Sequence, residues 1–147
     1  MAMTEKIVKD IEVGERASAD QLVRQMYDSG GFVAKKVGVG VDILYEMVKG
    51  GKCVKFLSFP SCLVSTGTRG VLKDLVKNKL VDVLVTTCGT MDHDLARVWK
   101  DYYHGSFEMD DRELHKRGVN REGNILIPHE NHGMIIEDKV QPALDEL

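Results

Sequence analysis

Two short apolar runs organise the rest of the hydrophobic pattern. Val54, Phe56, Leu57 and Phe59 form the first, and Val81 to Val85 (VDVLV) form the second. Runs of this length, rich in β-branched residues, predict strands buried on both faces of a parallel sheet. Between them Val71, Leu72, Leu75 and Val76 recur at helical spacing, which predicts an amphipathic crossover helix. The resulting unit is βαβ, right-handed by the usual rule.

Each predicted strand ends in small polar residues ahead of a helix. The first stretch is Pro60-Ser-Cys-Leu-Val-Ser-Thr-Gly-Thr68 and the second is Thr86-Thr-Cys-Gly-Thr90. Ligands of open α/β sheets bind at the carboxyl ends of strands, and amides at helix starts suit phosphate. The hydroxyls can equally well serve only as helix caps. Both readings stand on the pattern alone.

Elsewhere, residues 1–17 lack periodicity and read as an extended arm, with residues 18–147 forming part of one Rossmann-like domain. Ser18 is placed to cap a helix through Leu22, Val23 and Met26, ending at Gly30-Gly31. A second helix is expected over 32–49, with Val37, Val41, Leu44 and Val48 on one face. Gly38 and Gly40 oppose it by propensity, and as a dinucleotide fingerprint their spacing fails, because Ile43 stands where the last glycine belongs. Leu95, Val98, Trp99 and Tyr102 predict a core-facing helical stripe. Residues 105–123 read as a polar excursion without period, and Asn124 to Pro128 as a third buried strand, parallel to the others. A last helix over 131–147 carries Ile135, Ile136, Val140 and Leu144, with Pro142 marking a kink or restart. Three such strands leave an apolar edge. The chain is then either a small domain closed by its last helix or half of a larger sheet.

Composition narrows the class. The 147 residues, 43% apolar, suffice for one core. A net charge of −3 and a pI near 5.9 argue against nucleic acid as partner. No apolar stretch reaches membrane-spanning length, and the start, MAMTEKIVKDIEVG, lacks the hydrophobic region of a signal peptide. Cys53, Cys62 and Cys88 form neither a disulfide framework nor a zinc motif. His129 and His132 alone are a weak metal signature. Cytoplasmic residence is the expectation.

Three stretches together resemble the deoxyhypusine synthase family: Ser61-Cys-Leu-Val-Ser65, the run VDVLVTTCGTMDHDLAR, and GVNREGNILIPHEN at 118–131. The earlier GGFVAKKVGVGVDIL is similar to that family's amino-terminal helical region. The last motif, G-V-N-R-x-G-N-I-L-I-P-x-E-N, is long and specific. The resemblance runs from about residue 20 onward and corresponds to the amino-terminal half of longer family members.

The resemblance implies a Rossmann-like fold, incomplete without the carboxyl-terminal half, with bound NAD. It implies a tetramer, a dimer of dimers with sites at the dimer interface, and transfer of the aminobutyl group of spermidine to a lysine of the hypusine-carrying translation factor. Spermidine is dehydrogenated, diaminopropane leaves, an enzyme lysine carries the aminobutyl group to the protein lysine, and the hydride is returned. That lysine belongs to the carboxyl-terminal half, and no lysine here matches it, so this chain is expected to supply no catalytic residue and to be inactive alone. Ser61, Cys62, Leu63, Val64 and Ser65 match the first NAD-contacting loop, and Thr87, Cys88 and Gly89 the second. Asp92 and His93 fall where the family has two adjacent acidic residues near cofactor and polyamine. Asp92 keeps a charge suited to a cationic amine, whereas His93 departs from the pattern and introduces a group able to accept the amine's proton. That departure keeps open a homospermidine-synthase-like transfer to a small diamine. A non-catalytic NAD-binding or regulatory subunit is the third reading.

Overall fold

The computed structural model describes residues 6–146. The chain divides between Cys53 and Val54 into two compact units.

The first unit is a pair of helices. Helix α1 (Ala19–Ser29) starts at Ser18, whose Oγ accepts from the Gln21 amide while Gln21 returns a bond to the Ser18 amide. This reciprocal cap satisfies two of the amides a helix start leaves open. Helix α2 (Phe32–Lys49) packs along α1. Gly38 explains why a weak helix former is kept at mid-helix. It is buried, and a Cβ there would stand 2.6 Å from Cβ of Tyr27, so the two backbones approach where no side chain fits. Before α1, residues 6–13 adopt no regular structure, and the rest of the predicted arm, 1–5, lies outside the described residues.

The second unit holds the βαβ element. Strand β1 (Phe56–Phe59) pairs in parallel with β2 (Val83–Thr86), in register from Phe56 opposite Val83 to Phe59 opposite Thr86. Asp82 secures the start of the pair, its carboxylate accepting from the Lys55 amide at 2.8 Å and meeting Lys55 Nζ at 2.9 Å. Between the strands run a one-turn helix, α3 (Cys62–Ser65), and the crossover helix α4 (Arg69–Lys77). After β2 comes α5 (Gly89–Trp99).

Beyond Trp99 the structure departs from expectation. The polar stretch 105–123 is built, with α6 (Asp111–Lys116) and β4 (Val119–Glu122) inside it. The apolar run at 125–128 is a strand, β5 (Ile125–Pro128), but not a third parallel one. It is the centre of a separate antiparallel sheet, between β3 (Tyr103–His104) and β4. The tight turn at Gly123 folds β4 directly onto β5, which a parallel crossover would not permit. A 3-10 turn at His129–Asn131 leads into α7 (Gly133–Asp145), which continues through Pro142. Leu147, assigned to that helix by pattern, lies outside the described residues.

The core is thin. Phe59, Val64, Ala96, Leu114 and Ile127 are the buried apolar side chains among the described residues. The expected two-sided burial of β1 and β2 is absent, since Phe56 is 65% exposed and Leu84 and Val85 are also open. Two strands with layers over part of their surface cannot shield both faces. An apolar concavity lined by Phe59, Val64, Leu72, Val76 and Leu84 lies open beside the pair.

Gly38→Ala should lower stability by about 1–3 kcal/mol despite the better helix propensity of alanine, because overpacking outweighs that gain. Urea denaturation followed by circular dichroism checks it. An unchanged or raised midpoint would show that the helices part without cost.

Candidate functional site

The parallel register brings the ends of β1 and β2 level, and the loops after them touch. The Thr86 hydroxyl donates to the Phe59 carbonyl at 2.7 Å and lies 2.6 Å from the Thr90 hydroxyl. The Ser61 amide donates to Thr87 Oγ1 at 3.2 Å. Gly89 sits so near Ser61 that a Cβ would lie 3.0 Å from its Oγ. The two polar stretches are thus one continuous surface of backbone and small side chains.

The hydroxyls do not cap the helices that follow. No side chain caps α3, α4 or α5. Instead Ser65 and Thr66 donate to the Cys62 carbonyl, and Thr68 to that of Leu63. Val64 and Ser65 are buried, Ser61, Cys62 and Leu63 are half-buried, and Thr87 and Cys88 are exposed. Ser65 therefore holds the loop's shape from within, while Ser61, Thr87 and Gly89 form the junction.

Two arginines brace this junction, and the sequence pattern pointed to neither. Arg69 donates to the Asp94 carboxylate at 2.5 Å and to the carbonyls of Asp94 and Arg97, tying α4 to α5. Arg97 donates to the Val64 carbonyl at 2.5 Å, tying α5 to α3. The fork of a guanidinium suits such multiple bonding.

On the next turn of α5 the environment changes. His93 is 13% exposed and stacks on His132, with ring centroids 4.8 Å apart. Its Nδ1 lies 2.9 Å from the Tyr102 hydroxyl, and its Nε2 lies 3.9 Å from Glu122 Oε2. Burial lowers the His93 pKa below its usual 6.5. The adjoining His132 and Arg97 act in the same direction, against the opposing pull of Glu122 and Asp92. Burial also pushes Tyr102 up to about 12, and its hydroxyl shares a hydrogen bond with His93 Nδ1. His132 Nε2 and Glu122 Oε2 are buried without a hydrogen-bond partner.

Tyr102 was assigned to the α5 stripe by its i, i+7 spacing from Leu95. The helix ends at Trp99, because Lys100 turns extended, and Tyr102 reaches the cluster from the segment beyond. The other stripe residues, Val98 and Trp99, are exposed, and Ala96 is the buried contact. Glu122, on β4, carried no sequence signal in a stretch without period. The two histidines of the His-x-x-His pattern go separate ways, His129 Nε2 lying 3.1 Å from Asn120 Oδ1 while His132 meets His93. No cluster of three or more potential metal ligands occurs among the described residues. No described helix is long and apolar enough to cross a membrane.

Comparison with known proteins gives the family. Residues 21–147 match the family model for deoxyhypusine synthase. A probable deoxyhypusine synthase of Picrophilus torridus is 49% identical over 140 residues, covering 95% of this chain and 45% of the relative. Those of Thermoplasma acidophilum and Ignicoccus hospitalis are 44% and 43% identical, with coverage of 95% of this chain and 45% and 44% of theirs. A crystal structure of a deoxyhypusine synthase from Entamoeba histolytica aligns with a TM-score of 0.49 at 21% identity, over 75% of this chain and 44% of that one. The chain belongs to the deoxyhypusine synthase family, and it spans about half the length of the curated relatives it matches.

Because the folded state disfavours the protonated form of His93, the unfolded chain binds more protons just below pH 6.5. Stability should therefore fall as pH drops through this window, until the lowered folded pKa is also passed. In His93→Gln the slope should flatten. Urea midpoints at a series of pH values decide this, and an identical slope in both proteins would assign the pH dependence to other groups.

Proposed function

We propose that this chain is the NAD-binding half of a transferase that moves the aminobutyl group of spermidine to a lysine of the hypusine-carrying translation factor. The observation that carries the reading is the junction of the two strand-end loops, Ser61 to Ser65 against Thr87 to Gly89, stretches that resemble the family's cofactor loops. Its crowded backbone, closed to a Cβ at Gly89, fits the close approach of a dinucleotide. Ser61, Cys62, Leu63, Val64, Ser65, Thr87, Cys88 and Gly89 hold the cofactor, with His93 beside it. When bound, NAD supplies the hydride acceptor and donor that the amine chemistry needs.

The residues of this chain bind and orient. Asp92, in the first turn of α5, holds the cationic amine. Arg69 and Arg97 keep the loops at fixed separation, which positions amine carbon and cofactor relative to each other. The lysine that carries the aminobutyl group comes from a complementary carboxyl-terminal half. The chain's share of its relatives' length and the open faces of β1 and β2 support such a partner. The assembled enzyme is a cytoplasmic dimer of dimers.

Two measurements test this reading. Co-expressed with the carboxyl-terminal half of the Picrophilus torridus relative, the chain should transfer label from spermidine to one lysine of the translation factor, and only with NAD. Label appearing on putrescine instead would favour transfer to a small diamine, and no transfer would refute the reading. Asp92→Ala should weaken spermidine binding by about 10- to 100-fold, the worth of a hydrogen bond to a charged group, while leaving NAD affinity within about 2-fold. Equal loss of both would remove Asp92 from the amine site.

A further inference from the structure

A second concave surface lies in the helix pair of the first unit. Between α1 and α2 is a cleft of about 600 Å³, lined in part by Val23, Tyr27, Val41, Asp42, Tyr45 and Glu46. Its rim is acidic. Asp20 is bound to Arg24 at 2.9 Å, and Asp28 meets Lys9 at 3.7 Å. Asp42 and Glu46 have no ion pair among the described residues, although Asp42 acts through space on Arg24. They stand four residues apart on α2, so the two carboxylates are neighbours on one side of the helix. Like charges at that spacing disfavour a helix until a cation joins them.

The chain itself shows what such a surface receives. Residues 6–13 have no regular structure, yet basic side chains tie them to α1. Lys6 Nζ lies 5.0 Å from the centroid of the Tyr27 ring, and Lys9 reaches Asp28. One ammonium over an aromatic face and another on a carboxylate are the contacts a lysine-bearing peptide makes. On α2, Tyr45 and the two unpaired carboxylates repeat that set of groups, and Tyr45 is 59% exposed.

We propose that the α2 wall of this cleft is a docking surface for a basic segment of another protein, whose lysine or arginine side chains are received by Asp42, Glu46 and the face of Tyr45. The arm's own lysines take the α1 wall. A metal ion does not fit as the occupant, since no group of three potential ligands forms among the described residues. Nucleic acid is repelled by the same charge that attracts lysine. Exposed ion pairs are individually weak, so the surface suits a transient partner. The cleft lies wholly within the first unit, and the inference does not depend on the reading of the strand-end loops.

The test uses the full 147-residue chain, with the tyrosine ring signals followed by NMR as an oligolysine peptide is added at low ionic strength. The expected result is saturable movement of the Tyr45 signals while those of Tyr103 stay still. Asp42→Asn with Glu46→Gln should weaken binding about 10-fold, the worth of two exposed ion pairs. Glu137→Gln with Asp145→Asn removes the same charge from α7 and should leave the affinity within about 2-fold. Thermal melts check folding, and relief of the like-charged neighbours should leave the melting temperature of the first variant no lower. An equal effect of the two double substitutions, or none from either, would overturn the proposal. So would Tyr45 signals that never move in the unsubstituted chain, or a titration in which Tyr103 moves with them.

Discussion

The molecule depends on one constraint, the parallel register of β1 against β2. Because Phe59 lies opposite Thr86, the last residues of both strands finish level, and the first loop residues meet across a single amide-to-hydroxyl bond from Ser61 to Thr87. A shift by one residue would separate that pair and turn each strand's side chains to the opposite face. Register is held at the entrance by Asp82 on Lys55 and at the exit by Thr86 on the Phe59 carbonyl. The arginine braces then fix the helices behind the loops. The site is a product of strand alignment first and of side-chain chemistry second.

Local signals account for what could be read in the sequence. Ser18 announces α1, glycines mark its end, and spacing places α2, α4 and α5. The two strand-end loops were legible as small polar stretches after apolar runs, and the strand register is what makes them meet. What stayed hidden depends on partners distant in the chain. An apolar run such as Ile-Leu-Ile-Pro predicts a strand but not its direction, and only the turn at Gly123 makes β5 antiparallel to β4. Gly38 looked like a fault in a helix until Tyr27 was found against it. Tyr102 continued a helical period past the point where Lys100 had left the helix. Periodicity counts residues and does not register where a backbone turns.

The open apolar surfaces follow from the same economy. The strand pair was read as buried on both faces because its residues are those of a buried strand, but Phe56, Leu84 and Val85 face outward here. Large contiguous apolar surface is characteristic of a face that another protein surface covers. The chain spans about 45% of the length of its relatives.

A further bond ties the polar cluster to the backbone around it. Asn131, the last residue of the long motif, is buried and donates to the Asp101 carbonyl at 2.7 Å. It thereby joins the segment carrying Tyr102 to the start of α7, which carries His132, so both reach His93 from fixed directions. An amide side chain suits this task, because it bonds a backbone carbonyl without adding a charge beside Asp92, Glu122 and Arg97. Asn131 sets the geometry of the cluster, and the residue at 122 sets its charge.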